Sequence, residues 1–315
     1  MAELVVGSSV TARVPASSAN LGPGFDSVGL ALGLWDTCVA TVTEEPGITV
    51  DVEGEGAADV PRDATHLVVR TMLRAWDELG VAPPRGLHLS CVNEVPHGRG
   101  LGSSATAIVT GIVAAQGLHQ VCRGVTDGPD LTFANDLAAR LEGHPDNSSA
   151  SVYGGLTLSW SDSPDDGTRT LRLRPHPDLH ALVLVPATQL STAKARSVLP
   201  TQIRHGDAAL NSARAALLVQ ALTSHPEHLL DATREWLHQE ARRDSFSASM
   251  DLVDRLRGAG HAAVISGAGP SVLVLTRGDA SAAIRSLTSN DWTVLDPGIP
   301  ATGAQLSDLV RGEDT

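Results

Sequence analysis

The 315-residue chain has little of several things that mark common functional classes. Basic residues are few: 23 Lys and Arg against 36 Asp and Glu leave a formal charge of −13. That balance disfavours nucleic acid or an anionic membrane as a partner. A bound phosphate must then be held by local backbone dipoles, a metal and a few arginines. The three cysteines, Cys38, Cys91 and Cys122, are odd in number and lack paired spacing, so neither a disulfide framework nor a zinc site is expected. No apolar run reaches the roughly 18 residues that cross a bilayer. The N-terminal MAELVVGSSV has no basic region leading into a signal core, and a reducing cytoplasm is the expected compartment. Aromatic residues make up only 3%, from which no function follows. Hydrophobic content of 42% is enough for a real core, in one large domain or two modest ones.

What is present centres on Pro96 to Ala107, PHGRGLGSSATA, where Gly98, Gly100 and Gly102 alternate and Ser103 and Ser104 lead into an apolar helical run, Ala105 to Gly117. Glycines remove the side chains that keep backbone N–H groups from an anion, and they allow the positive φ at which such groups converge. The positive end of the following helix points back into the loop. The composition suits a nucleotide phosphate cradle; an ordinary tight turn capped by serine is the plainer alternative. A P-loop is excluded because Gly102 stands where its Lys belongs, and no acidic residue follows at the spacing of a dinucleotide fingerprint.

Along the chain, Val10 to Val14 alternates as a strand, and Pro15 to Gly24 (PASSANLGPG) breaks the periodicity. Within that stretch Asn20, with Asp26 just beyond, has the reach to contact a ligand, whereas Ser17, Ser18 and Ala19 are read as capping a helix through Leu32. Cys38 to Thr43 and Ile48 to Glu53 read as a hairpin across Glu44 to Gly47. Leu67 to Leu79 carries a helical stripe ending at Gly80, and Leu87, Leu89 and Cys91 form a strand that feeds the glycine loop. Leu131 to Glu142 is helical and closed by Gly143; His144-Pro145-Asp146-Asn147 follows. Two readings stand there: a carboxylate at one helix end and a hydroxyl at another helix start sharing a magnesium ion, or a solvated acid beside a plain turn. The irregular SDSPDDG, Ser161 to Gly167, separates strands at Leu156 to Trp160 and Thr170 to Arg174, which places a domain division between residues 165 and 166. Beyond it, Leu182 to Val185, Ala262 to Ile265, Val272 to Leu275 and Trp292 to Leu295 read as strands. Asp207 to Leu222, His225 to Glu240 and Ala248 to Arg257 read as helices, and a polar tail closes the chain. Ser266 to Ser271 is a second glycine turn, which a tight hairpin accounts for.

Taken together, PASSANLGPGFD (15 to 26), VPHGRGLGSSATA (95 to 107), EGHPDN (142 to 147) and ISGAGPSVL (265 to 273) resemble, in order and spacing, the motifs of the GHMP small-molecule kinases. STAKARSVLP, DAALNSARAALLVQAL and LHQEAR resemble the homoserine kinases among them. The resemblance implies an α+β fold of two domains: residues 1–165 related to the second domain of ribosomal protein S5, residues 166–315 ferredoxin-like, the active site between them. It implies ATP-dependent phosphorylation of the side-chain hydroxyl of L-homoserine, in threonine biosynthesis, and a possible homodimer. ATP phosphates are then expected on Pro96, His97, Gly98, Arg99, Gly100, Leu101, Gly102, Ser103, Ser104 and Ala105, with Mg²⁺ on Ser104 and Glu142. Asn20 and Asp26 are expected to bind the amino acid, Asp26 at its ammonium group. Asn147 is to orient the hydroxyl, and Arg196 with Arg242 to grip the carboxylate. Asp146 is the alternative base, since Asn147 stands where several related kinases have an aspartate.

Three positions depart from the family pattern. Ser148-Ser149-Ala150-Ser151 replaces a Val-Ala-Pro type segment, so the wall beside the hydroxyl is expected to differ; Ala241 replaces a tyrosine before Arg242; His66 replaces an asparagine near the adenine. These changes leave open a paralogue acting on threonine, serine or another hydroxy amino acid. A non-catalytic nucleotide or amino-acid sensor is the competing class. It could dispense with Ser104, Glu142 and Asn147, and all three are present.

Overall fold

The alternation at Val10, Ala12, Val14 and Ala16, all fully buried, builds β1 (Ser9–Ala19), which pairs antiparallel along β2 (Val28–Val42). These and the elements below come from a computed structural model that describes residues 4–125, 127–163, 166–189 and 192–312. Pro164 and Asp165 of the irregular segment, and Ser191, lie outside the described residues. The first half continues with β3 (Gly47–Gly54), α1 (Leu67–Leu79), β4 (Gly86–Asn93), α2 (Ser103–Cys122), α3 (Leu131–Glu142), α4 (Pro145–Tyr153), β5 (Leu156–Trp160) and β6 (Arg169–Leu173). Then come β7 (Leu179–Pro186), α5 (Thr192–Ser197), α6 (His205–Thr223), α7 (Leu229–Ala232), α8 (Ser247–Gly258), β8 (Ala262–Ile265), β9 (Val272–Arg277), α9 (Ser281–Ser286), β10 (Trp292–Leu295) and β11 (Gln305–Val310).

The first sheet runs β11-β1-β2-β4-β3, with β5 and β6 added beside the start of β2. Its core joins Val14, Ala40 and Leu89 to Met72 and Trp76 of α1 and to Ile112 of α2. Trp76 donates its indole N–H to the Ala115 carbonyl at 3.1 Å, so the largest buried side chain leaves no orphan donor. By length and composition α2 could cross a bilayer, but 83% of that window is buried inside the protein. The second sheet runs β10-β7-β9-β8, antiparallel throughout. In chain order that is fourth, first, third, second, the ferredoxin-like arrangement. β7 is apolar on both faces because both are covered: Leu182 and Leu184 share a cluster with α8, and Ala181 and Val183 share one with Ala16, Leu30 and Leu101 of the first half. An unbroken apolar cluster therefore joins the two halves below the cleft. β6 and β11, both beyond residue 165, belong to the first sheet, so the chain crosses to the second sheet after Leu173 and returns after Leu295.

Several local expectations give way to tertiary pairing. Ser17 to Ala19 continue β1 and Val28 to Leu32 open β2, rather than capping and forming a helix; both faces of that run are covered, which favours strand. β3 pairs parallel with β4 through the crossover helix α1, so no hairpin joins it to β2. His144 to Asn147 lead into and begin α4 instead of a plain turn, with Pro145 in its first turn. The stripe at His225 to Glu240 is broken: Pro226 opens a 3₁₀ turn, α7 lasts one turn, and the Glu235 carboxylate then accepts the backbone N–H groups of Leu237, His238 and Gln239. The polar tail forms β11 on the edge of β1.

Asp36, on β2, places one carboxylate oxygen 2.9 Å and 3.0 Å from the N–H groups of Glu94 and Val95, which fixes where the chain leaves β4 for the glycine loop. Burial raises its carboxyl to about 6, against those two N–H bonds. An acid raised above its ordinary 3.8 destabilises the fold once the unfolded chain ionises: nothing is lost below pH 3.8, and the full penalty stands above about 6. Asp36→Asn keeps the acceptor and removes the charge. It should stabilise the protein by up to about 3 kcal/mol near pH 7.5, with the difference vanishing toward pH 4 in parallel urea titrations.

A glycine on β2 sets the seat of α4: a Cβ at Gly29 would overlap the Asp146 carbonyl and lie 3.0 Å from the Ala150 methyl. Gly29→Ala should lower unfolding free energy by about 1–3 kcal/mol. Gly206→Ala, in the open first turn of α6, should raise it by about 0.4–1 kcal/mol. Equal effects in urea melts would show that α4 does not rest on Gly29.

Candidate active site

Beyond β4 the chain turns through Gly98, Gly100 and Gly102 at φ of 65°, 75° and 71°, a backbone region that other residues enter at a cost. Space demands glycine as well. A Cβ on Gly100 would overlap the Ser266 carbonyl, and one on Gly102 would overlap Ser17 Oγ. The loop is wedged between β1 and the second glycine turn. Ser17 donates its N–H to the Leu101 carbonyl at 3.1 Å, Ser271 donates its N–H to Arg99 at 3.2 Å, and Ser266 Oγ donates to the Gly100 carbonyl at 2.6 Å. Gly102 is the N-cap of α2 and provides no side-chain cap, so neither serine serves as one, and the first-turn N–H groups remain available to an anion. The Arg99 guanidinium turns to the carbonyls of Pro186 and Ala187 at 3.0 Å and 3.2 Å, tying the loop to the end of β7. Ala105 is fully buried behind the loop.

Ser104, one residue into α2, donates its hydroxyl to Glu142 Oε2 at 3.0 Å, bringing a helix start and a helix end together. Burial pushes the Glu142 carboxyl above its ordinary value, despite the His144 charge and the Ser104 bond that favour ionisation. Asp146 Oδ1 accepts the Asn147 N–H and faces His144 Nδ1, both at 2.8 Å. Burial opposes a proton on His144, but the hydrogen bond and charge of Asp146 outweigh it, so its pKa is raised. Asn147 Oδ1 accepts from Ser17 Oγ at 3.1 Å. The serines after it face away from the cavity: Ser148 bonds the Pro145 carbonyl, Ser149 bonds Asn135, and Ser151 bonds Ser17. The expected change in the wall beside Asn147 is therefore absent, because α4 turns these side chains into the scaffold.

Between β1 and β2, Asn20 and Asp26 take left-handed φ of 69° and 53°. The Asn20 amide spans the cleft, donating to the Gly267 carbonyl at 3.1 Å and accepting the Asp26 N–H at 3.0 Å. Arg196 forks onto the Asp26 carboxylate at 2.6 Å and 3.3 Å. Arg242, 2% exposed in the 3₁₀ turn Glu240–Ser245, donates Nε to the Ala195 carbonyl at 2.8 Å. The Phe25 ring lies 5.7 Å and 5.9 Å from the two guanidinium carbons, an aromatic partner for the arginines although residue 241 is alanine.

One cavity of about 330 Å³ collects these groups. Its lining includes Arg196 and Arg242, the glycine loop with Ser104, Glu142 and Asn147, and the side chains of His66, Val68, Cys38 and Cys91. Every residue expected at the site lines this cavity except Ala105 and Asp26, and Asp26 meets it through its ion pair with Arg196. Sequence reasoning did not single out Phe25, Glu235 and His238, nor the clamping bonds of Ser17 and Ser266; the four-residue step from His238 to Arg242 was the available signal for one of them. The arrangement can hold a polyphosphate on backbone N–H groups, a hard cation on two oxygens, and a zwitterion between opposite charges.

Comparison with known proteins agrees with that inventory. Residues 66–155 match the family model for the GHMP kinases N terminal domain, and residues 213–292 match that for the GHMP kinases C terminal. The chain is 47% identical over 310 residues to a homoserine kinase from Streptomyces coelicolor, with 97% of each chain covered. It is 45% identical over 314 residues to one from Clavibacter michiganensis, covering 98% of this chain and 97% of that one. The crystal structure of a homoserine kinase from Cytophaga hutchinsonii superposes with a TM-score of 0.78 at 23% identity, over 95% of this chain and 97% of that one, and supports the fold. The chain belongs to the GHMP kinase family, within its homoserine kinase branch.

Proposed function

We propose that the chain transfers the γ-phosphate of ATP to the side-chain hydroxyl of L-homoserine, giving ADP and O-phospho-L-homoserine. The observation that supports this reading is one cavity lined by the glycine loop, Glu142, Asn147, Arg196 and Arg242, with the Asp26 carboxylate forked onto Arg196. The loop from Pro96 through Ser104 binds the polyphosphate through its N–H groups. Ser104 and Glu142 offer two hard oxygens 3.0 Å apart, a donor set that fits Mg²⁺. When bound there, the ion supplies charge neutralisation at the phosphates.

Asp26 binds the ammonium group and Arg196 with Arg242 the carboxylate. Asp26 and Arg196 exchange their mutual bonds for the two ends of one zwitterion, so neither charge is left uncompensated in the half-buried cleft. The Asn147 amide orients the hydroxyl and cannot take its proton. Asp146 has Oδ1 committed to His144 and to the Asn147 N–H, and its second oxygen is the alternative acceptor for that proton. Attack is in line: the hydroxyl oxygen bonds to phosphorus, the bond to the β-phosphate oxygen breaks, and the proton leaves late to phosphate or water. A cytoplasmic setting and a homodimer belong to the same proposal through the family resemblance.

An ADP-release assay with ATP and Mg²⁺, run against L-homoserine, L-threonine, L-serine and mevalonate, should show strong preference for homoserine. Turnover only with another hydroxy amino acid would move the reaction to that substrate; no turnover by folded, ATP-binding protein would favour a sensor. Glu142→Ala should cut kcat by roughly 100-fold or more with its thermal midpoint retained. Arg196→Ala should raise the amino-acid KM by roughly 30-fold or more, from loss of about 2–5 kcal/mol at a charged contact. A comparable rise in the ATP KM would show that Arg196 is wrongly placed.

A further inference from the structure

We propose that His238 is the positioning residue for Arg242, holding the guanidinium toward the amino-acid carboxylate with the lone pair of Nδ1 while its Nε2–H ties that guanidinium to the loop carrying Asn20 and Asp26. The inference rests on the reading of Arg242 as a carboxylate ligand. His238 is 1% exposed, and its Nε2 lies 2.9 Å from the Gly22 carbonyl. A carbonyl only accepts, so Nε2 carries the hydrogen and a neutral ring has its lone pair on Nδ1. Arg242 Nη1 lies 3.2 Å from that Nδ1, and a guanidinium only donates, so the two bonds fix one tautomer. With Nε on the Ala195 carbonyl, the guanidinium is held along two edges.

The surroundings favour the neutral ring. Burial above all holds the imidazole below its ordinary pKa, against the nearby Glu235 charge. Glu235 lies 3.7 Å from Nε2, but its oxygens are taken by the N–H groups of Leu237, His238 and Gln239. Phe25 stacks on the imidazole at 5.1 Å, and Asp26 and Arg242 are the other charges acting on it. A protonated ring would set an Nδ1–H against an arginine N–H, two donors and two positive charges face to face. The Gly22 bond matters to the same end, because the loop it holds contains Asn20, Leu21 and Asp26 at positive φ and needs outside contacts to stay there.

Asn and Gln substitutions separate the two bonds. The Asn side-chain oxygen ends as many bonds from the backbone as Nδ1 and keeps an acceptor for Arg242. The Gln amide ends where Nε2 does, keeping a donor for Gly22 and leaving no acceptor at the δ position. His238→Gln should raise the L-homoserine KM by about tenfold or more with the ATP KM little changed, a loss of about 1.4 kcal/mol, and His238→Asn should restore it to within a few-fold of the parent. The proposal is overturned if His238→Gln keeps the parent KM, if His238→Asn is no better than His238→Gln at matched thermal midpoints, or if both substrates are affected alike. Arg242→Ala runs beside them: an unchanged amino-acid KM there would overturn the carboxylate assignment as well, whereas a raised KM with normal His238→Gln kinetics would remove His238 alone. In the parent protein, ¹⁵N spectra of labelled histidine, assigned by the signal lost in His238→Asn, should show an Nε2–H tautomer; an Nδ1–H or doubly protonated ring would also overturn it.

Discussion

Ser266 Oγ donates to the Gly100 carbonyl at 2.6 Å and lies 2.8 Å from Ser18 Oγ, so a hydroxyl at the end of β8 holds both the glycine loop and the end of β1. Much of the site depends on this seam. A loop with glycine at every second position is the segment with most backbone freedom to lose, and N–H groups that converge only on binding would spend affinity on ordering it. Here the loop is held in advance by Ser17 from one side, by Ser266 and Ser271 from the other, and by Arg99 reaching β7. The same close approach explains why Gly100 and Gly102 must be glycine even without a ligand. Preorganised donors of this kind are effective because they need no rearrangement as charge shifts during phosphoryl transfer.

The charges in the cleft are arranged on the same principle. Asp26, Asp146 and Glu142 stand near Arg196, Arg242 and His144, so local charge is nearly balanced in a protein whose overall charge is −13. Burying a lone ion would be prohibitive, and each of these has at least one partner. Arginine suits the two cationic positions because its flat, weakly hydrated head can fork onto a carboxylate and also lie against a ring. With only three phenylalanines in the chain, Phe25 meets two guanidinium groups and stacks on His238. The tyrosine missing at 241 thus has a counterpart that reaches the arginines from the opposite side of the cleft.

Much of this was legible in the sequence where the signal is local. The glycines at 98, 100 and 102 declare a backbone conformation directly, and α1 and α3 follow from a stripe and a closing glycine. Legibility failed where a partner distant in sequence decides. Val28 to Leu32 is an apolar run that suits strand or helix equally, and its place beside β1 and β5 settles the matter. β3 chose β4 across an intervening helix, a pairing that no turn residue announces. The serines at 148, 149 and 151 read as a changed wall because sequence names residues without saying which way a helix faces. Glu235 was hidden for the opposite reason: it sits in a stretch with helical spacing, and its carboxylate satisfies the very N–H groups that a continuing helix would have used.

Recognition of the amino-acid end leaves the choice of side chain to distance. In the proposed assignment Asp26, Arg196 and Arg242 take an ammonium and a carboxylate, which serine, threonine and homoserine share. The same proposal has the hydroxyl read elsewhere, where Asn147 lies beside the glycine loop, and Asn147 is fixed by Ser17 from β1 and by its own N–H on Asp146. Neither end can slide toward the other without breaking bonds to the scaffold. A hydroxyl one carbon closer to the α-carbon falls short by about one bond, and a misplacement near 1 Å costs about 100-fold in rate. The apolar contact of one methylene contributes only about 1–3 kcal/mol. Discrimination against the shorter hydroxy amino acids therefore belongs chiefly to the transfer step rather than to binding. They share the charged grip and can compete for it while leaving the hydroxyl out of line.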